Sequence, residues 1–143
     1  MLNEIINIIT GILFLISVIF IGRTLKEQRL KNKIETFTSA VSKENSLRIK
    51  LNEYDEKIRK SKNSAERIFL WNDRDALLFN FFEHISILIL SNSVDEKQFK
   101  AYFKRILIDI SEIFYDEEGL LKRGYISQLD YPHLIKLFQR WNI

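Results

Sequence analysis

Residues 5–22, IINIITGILFLISVIFIG, carry no charge, and the run stops at Arg23 and Lys26. At a rise of about 1.5 Å per residue such a run makes about 27 Å of helix, close to the thickness of a bilayer's hydrocarbon core. It reads as a transmembrane helix. A cleavable signal peptide would need a basic stretch before a shorter apolar run and a small-residue cleavage site after it. Here Met1, Leu2, Asn3 and Glu4 precede the run, and Arg23, Lys26, Arg29, Lys31 and Lys33 follow it, with Glu27 the one acid among them. Short flanks rich in Lys and Arg stay in the cytoplasm. The reading is therefore an uncleaved, single-pass anchor in the cell inner membrane, its N-terminus outside and its C-terminal domain cytoplasmic. The lack of cysteine agrees with a reducing compartment.

Beyond the anchor, charge divides the chain. Residues 23–63 hold 12 Lys and Arg against 6 Asp and Glu, whereas residues 64–143 hold 10 against 12. The basic excess is juxtamembrane, where attraction to anionic inner-leaflet lipids contributes about 1 kcal/mol per basic residue. One proline and four glycines leave little room for long loops. The expected fold is all-α, in three parts. These are a transmembrane helix over 1–22, a basic juxtamembrane helical stalk over 23–63, and a small cytoplasmic helical bundle over 64–143.

The helical periodicities support that division. In the stalk, Ile34, Phe37 and Val41 share a three-four spacing, and so do Leu47, Leu51, Tyr54 and Ile58, with a register slip between the sets near 42–46 that predicts a break or a stutter. Asn72-Asp73-Arg74-Asp75 offers an N-cap for a central helix over 76–90, apolar at almost every turn and too short for a second span. Ser93-Val94-Asp95-Glu96 has the form of a capping box, opening a helix with the stripe Phe99, Phe103, Ile106, Ile110 and Ile113 that Gly119 is expected to end. After a loop through Gly124, Asp130 as cap and Pro132 in the first turn begin a last helix that buries Leu134, Ile135, Leu137, Phe138 and Trp141.

Chemistry-bearing motifs are scarce. His84 and His133 stand far apart, cysteine is absent, and there is neither an HExxH motif nor a Gly-rich phosphate loop, so no metal, no cofactor and no enzymatic activity are expected. Glu83 lies on an apolar helix, where a carboxylate is costly unless partnered. The expectation is a structural polar network of Asn80 and Glu83 with a basic residue such as Arg74, Arg105 or Arg140. Lys97, Lys100 and Lys104 share one helix face. With Arg67, Arg74, Arg105, Lys122 and Arg123 they form the pool from which contacts to an anionic ligand, a nucleotide or an oligonucleotide, would come.

The segments Leu78-Phe79-Asn80-Phe81-Phe82-Glu83 and Leu134-Ile135-Lys136-Leu137-Phe138-Gln139-Arg140-Trp141 resemble a family of small bacterial proteins with an N-terminal transmembrane helix and a helical cytoplasmic domain. The likeness covers most of 65–143 and brings no established chemistry with it. The build of span, charged stalk and helical domain is also similar to membrane effectors of bacterial anti-phage defence systems, which implies an oligomeric membrane effector by analogy.

The span itself has a face. At about 100° per residue, Asn3, Asn7, Thr10, Phe14, Ser17 and Ile21 fall within an arc of about 80°, with the three-four spacing of a helix seam. Asn, Thr and Ser are the side chains that bond between helices in lipid. This stripe predicts self-association. In a ring of four or more copies it would line a pore in which Phe14 forms an apolar constriction that gates by dewetting. The expected function is accordingly a homo-oligomeric membrane effector, pore-forming or membrane-permeabilising, gated by a ligand or partner on its helical domain and used in anti-phage defence. The alternative is a non-conducting, membrane-tethered scaffold or adaptor that docks a protein partner through an apolar groove.

Overall fold

The structure, a computed structural model, describes residues 2–114 and 130–143, with side chains from Ile9 onward. The described residues form four helices and no strand: α1 (Leu2–Lys60), α2 (Ser64–Leu90), α3 (Glu96–Phe114) and α4 (Pro132–Trp141). The fold is all-α, as its periodicity requires. The chain divides into two compact units, Met1–Glu35 and Thr36–Ile143. Part of the expected stalk, residues 36–60, thus belongs with the bundle, because Ala40 and Leu47 join its core and Phe37 and Leu51 pack against it.

In the first unit, α1 is long and apolar enough to cross a membrane, and none of that apolar stretch is buried. In the second, α1 shows no break. Positions 37, 40, 44, 47, 51, 54 and 58 form an unbroken three-four seam, with 36, 41 and 55 partly covered beside it. The slip expected near 42–46 is absent because Ala40 and Glu44 occupy the seam where no large apolar residue stands. Ile34 lies off this seam, exposed, and Val41 is half-buried beside it. Glu44 is only 3% exposed. Its carboxylate takes the Arg48 guanidinium one turn on and accepts from the Tyr102 hydroxyl at 3.4 Å. The hydrogen bond and the charge of Glu44 hold Arg48 more firmly protonated than usual.

A three-residue connection returns the chain into α2. Near the turn Arg74 reaches Asp55 at 2.7 Å, and further along Leu47 lines one groove with Leu77 and Phe81, the pairing of an antiparallel hairpin. Helix α2 begins at Ser64, twelve residues ahead of the expected 76, since Asn63 caps it by accepting from the Ala65 N–H at 2.9 Å, and no Gly or Pro intervenes to stop the helix. It is also one-sided rather than buried all round: Phe79, Phe82, Ile85 and Ile89 face the core, while Asn80 and His84 are exposed. The buried Ser86 hydroxyl is satisfied by the Phe82 carbonyl at 2.7 Å.

The expected capping box at α3 does not form. Asp95 caps the helix, its carboxylate accepting from the Gln98 N–H at 3.2 Å, and Glu96 turns instead to α4. The core face of α3 is Phe99, Phe103, Leu107, Ile110 and Phe114, with Ile106 and Ile113 at its margin. All five residues expected in the core of α4 are buried. Edge-to-face ring pairs knit the helices, among them Phe79 with Phe114 at 4.6 Å, Phe82 with Phe103 at 5.9 Å and Phe114 with Phe138 at 5.7 Å. Two helix ends share one solution. Asn92 and Asn142 take φ of 56° and 53°, and Ser93 and Ile143 donate back to the carbonyls of Leu88 and Phe138, the Schellman closure with Asn in the left-handed position. Gly119 and Gly124 lie outside the described residues.

Candidate functional site

The start of α4 shows how the bundle is held. Tyr131 at its N-cap has no side-chain cap bond, and Pro132 follows at the first position. Glu83 supplies what is missing. Its carboxylate accepts from the N–H groups of His133 at 3.1 Å and Leu134 at 2.7 Å, and meets His133 Nδ1 at 2.6 Å. A carboxylate on the open N–H groups of a helix start is favoured by hydrogen bonding and by the helix dipole. The expected network is therefore corrected. Glu83 caps α4 across 50 residues, Asn80 is exposed and outside it, Arg74 pairs with Asp55 and Asp75, and Arg140 pairs with Glu96. Beside this cap, burial, with Asp130, Glu83 and Asp75 nearby, pushes the Tyr131 hydroxyl above its usual range.

The basic face of α3 is the candidate ligand surface. Lys97, Lys100, Lys104 and Arg105 line an open cleft of about 640 Å³ with Ala101 and Ile108. They gather there because Phe99, Phe103 and Leu107 draw the opposite face of α3 into the core. Helix α4 supports one end of the strip. Glu96 accepts from the Trp141 indole N–H at 2.8 Å and from Arg140 at 2.5 Å, and the Lys100 ammonium stands 5.5 Å over the Trp141 ring. Cations one helical turn apart on an open face suit phosphate groups and leave them accessible. Arg67 and Arg74 sit elsewhere, on the first turns of α2, and Lys122 and Arg123 lie outside the described residues. Among the described residues no cluster of three or more His, Asp or Glu could hold a metal ion.

A second surface escaped the sequence. Leu47, Leu77 and Phe81 floor a groove of about 370 Å³ between α1 and α2, with Lys43, Ser46, Lys50 and Asn80 on its walls. Its signal was the three-four seam of α1, hidden by Ala40 and Glu44.

In the first unit, Thr10, Phe14, Ser17 and Ile21 are all exposed along α1, while Asn3 and Asn7 precede the residues with described side chains. The Ser17 hydroxyl donates to the Leu13 carbonyl at 2.9 Å, and Thr24 does the same to Phe20 at 3.0 Å. A single helix can thus satisfy the Ser17 hydroxyl in lipid, contrary to the expectation that the polar stripe requires a second helix. Past the apolar stretch, Arg23, Lys26, Arg29 and Lys33 line one open face with Glu27 and Leu30. No family model, curated protein or solved structure matches this chain.

Proposed function

We propose that the chain is a homo-oligomeric membrane effector. Its span crosses the cell inner membrane with the N-terminus outside, and its cytoplasmic bundle responds to an anionic ligand on the α3 strip. One observation carries this reading: one helix, α1, supplies both the apolar stretch and the seam of the bundle. The basic face past the span supports retention of that end at anionic inner-leaflet lipids. Copies meet through the face of Thr10, Phe14, Ser17 and Ile21, and in a ring of four or more this face lines a pore. The resemblance to small bacterial membrane proteins and to defence effectors agrees with leakage as the biological outcome, as analogy alone.

Dye leakage from cells expressing the chain tests this directly. Leakage is expected, and it should be lost when Thr10 and Ser17 both become Leu. Unchanged permeability in infected and uninfected cells alike would sink the pore. A short single-stranded oligonucleotide serves as the phosphate probe for the α3 strip. Its binding to the purified full-length chain should weaken steeply with salt and fall further in Lys100→Ala/Lys104→Ala; salt-independent binding would argue against phosphate contacts.

The second reading is a tethered adaptor, favoured by the Ser17 hydroxyl satisfied within its own helix and by the α1–α2 groove. Replacing residues 1–22 with an unrelated span separates the two. The adaptor keeps its activity after the swap, and the effector loses it.

A further inference from the structure

The α3 strip offers its ligand one kind of polar contact. Its cleft is lined by Lys97, Lys100, Lys104 and Arg105 with Ala101 and Ile108, so every polar side chain in it is a donor. Base edges carry donors as well as acceptors and are told apart by side chains that can also accept, such as Asn, Gln, Asp or Glu. Among the described residues no such side chain lines the cleft. Stacking has no platform there either. The Trp141 ring lies beneath Lys100 and is only 2% exposed, while Tyr102, about 140° around α3 from Lys97, turns its ring to Phe37 and its hydroxyl to Glu44. The acceptor edge of guanine is the one base feature these cations could meet, and they meet the full charge of a phosphate better.

The cations also diverge. Lys97 and Arg105 stand about 12 Å apart along the helix, and Lys100 and Arg105 lie about 140° apart around it. Lys100 is drawn to the α4 side, 5.5 Å over the Trp141 ring. Cations that hold a compact anion converge on one point, whereas these meet phosphates one after another along a chain. The acids of α3 leave the strip positive. Asp95 accepts from the Gln98 N–H, Glu96 holds Trp141 and Arg140, and Asp109 and Glu112 follow beyond Arg105. None of the four lines the cleft.

We propose that the ligand of the α3 strip is a linear polyphosphate chain gripped through its phosphates alone. A nucleic-acid single strand is then bound without regard to its bases, and inorganic polyphosphate fills the same site. This rests on the reading of α3 as the ligand surface and narrows it, setting the mononucleotide aside.

The full-length chain in zwitterionic nanodiscs is titrated with a fluorescently labelled oligothymidylate. Unlabelled competitors then displace it: a strand of the same length with scattered guanines, an abasic strand of that length, inorganic polyphosphate and ATP. Side chains that stacked on a base or read its edge would make each base worth about tenfold in affinity. The guanine and abasic strands should instead match the thymidylate to within about threefold, inorganic polyphosphate should displace it too, and ATP should be weaker by about tenfold or more. With four cations on phosphates, log affinity should fall against log salt with a slope of about 3, from about 0.7 per contact. Lys97→Gln/Lys104→Gln, at two exposed positions, should lower that slope by about half. A loss of about tenfold on removing the bases, a guanine preference of that size, ATP competing on equal terms, or polyphosphate failing to compete overturns the proposal and leaves α3 as the ligand surface. Binding of none of these probes, or binding that Lys97→Gln/Lys104→Gln leaves unchanged, removes the α3 reading itself and the proposal with it.

Discussion

The two ends of α1 are one helix in two settings. Over 36–60 its seam is covered by the bundle, down to a charged residue, Glu44, at a seam position. Over 9–22 none of the described residues covers it, although it is by far the more apolar stretch. An apolar stretch of that length left uncovered is long enough to cross a membrane. Its hydroxyl at Ser17 donates back to the Leu13 carbonyl, as that of Ser46 does to Ser42 in the bundle.

The same substitution in the two settings should part them most widely. Leu47→Ala opens the seam beside the core and should cost about 2 to 5 kcal/mol in urea unfolding of the bundle, while Leu13→Ala should leave that transition unmoved. Equal losses would mean that the first stretch packs in protein after all. Ile16→Lys, at the middle of the span, should oppose membrane insertion by about 2.5 to 3.5 kcal/mol, read as the fraction extracted by carbonate, with the bundle's unfolding again unaltered.

A smaller effect belongs to Glu83. Glu83→Gln keeps an acceptor but removes the charge from the start of α4, and should destabilise the bundle by about 1 to 2 kcal/mol; a neutral result would contradict its role as cap. Alkaline pH gives a finer test. Because the folded chain keeps the Tyr131 phenol protonated beyond the range in which the unfolded chain releases its proton, the stability tied to it is whole below about pH 10 and drains away above it. Tyr131→Phe should therefore flatten the alkaline fall in Tm, while an unchanged slope would remove Tyr131 as its source. The smallest effect is expected at Ile34, half exposed and off the seam, where Ile34→Ser should change stability by no more than about 0.5 kcal/mol.

These residues also show what could be read in advance. The long apolar N-terminal helix, the all-helical fold and the five core residues of α4 were legible because apolar runs and apolar periodicity are local signals. The start of α2 was misplaced because two cap sequences competed, and Asn63, the earlier, met no breaker before Asn72. Three features depended on distant parts of the chain. Tyr131 lacks a cap of its own, and its substitute is Glu83, 50 residues upstream of His133. Glu96 left a local capping box for Trp141 and Arg140. Glu44 entered the seam because Arg48 and Tyr102 partner it. The α3 strip was visible as a lysine repeat, but the support of Lys100 by Trp141 required α4 in place.

The central claim is that copies of the span meet along the face of Thr10, Phe14, Ser17 and Ile21. The mass of the full-length chain in lipid nanodiscs large enough to hold a ring tests it most directly. A tetramer or larger assembly is predicted, reduced to smaller species when Thr10 and Ser17 both become Leu. A monomer or dimer in the parent chain would contradict it.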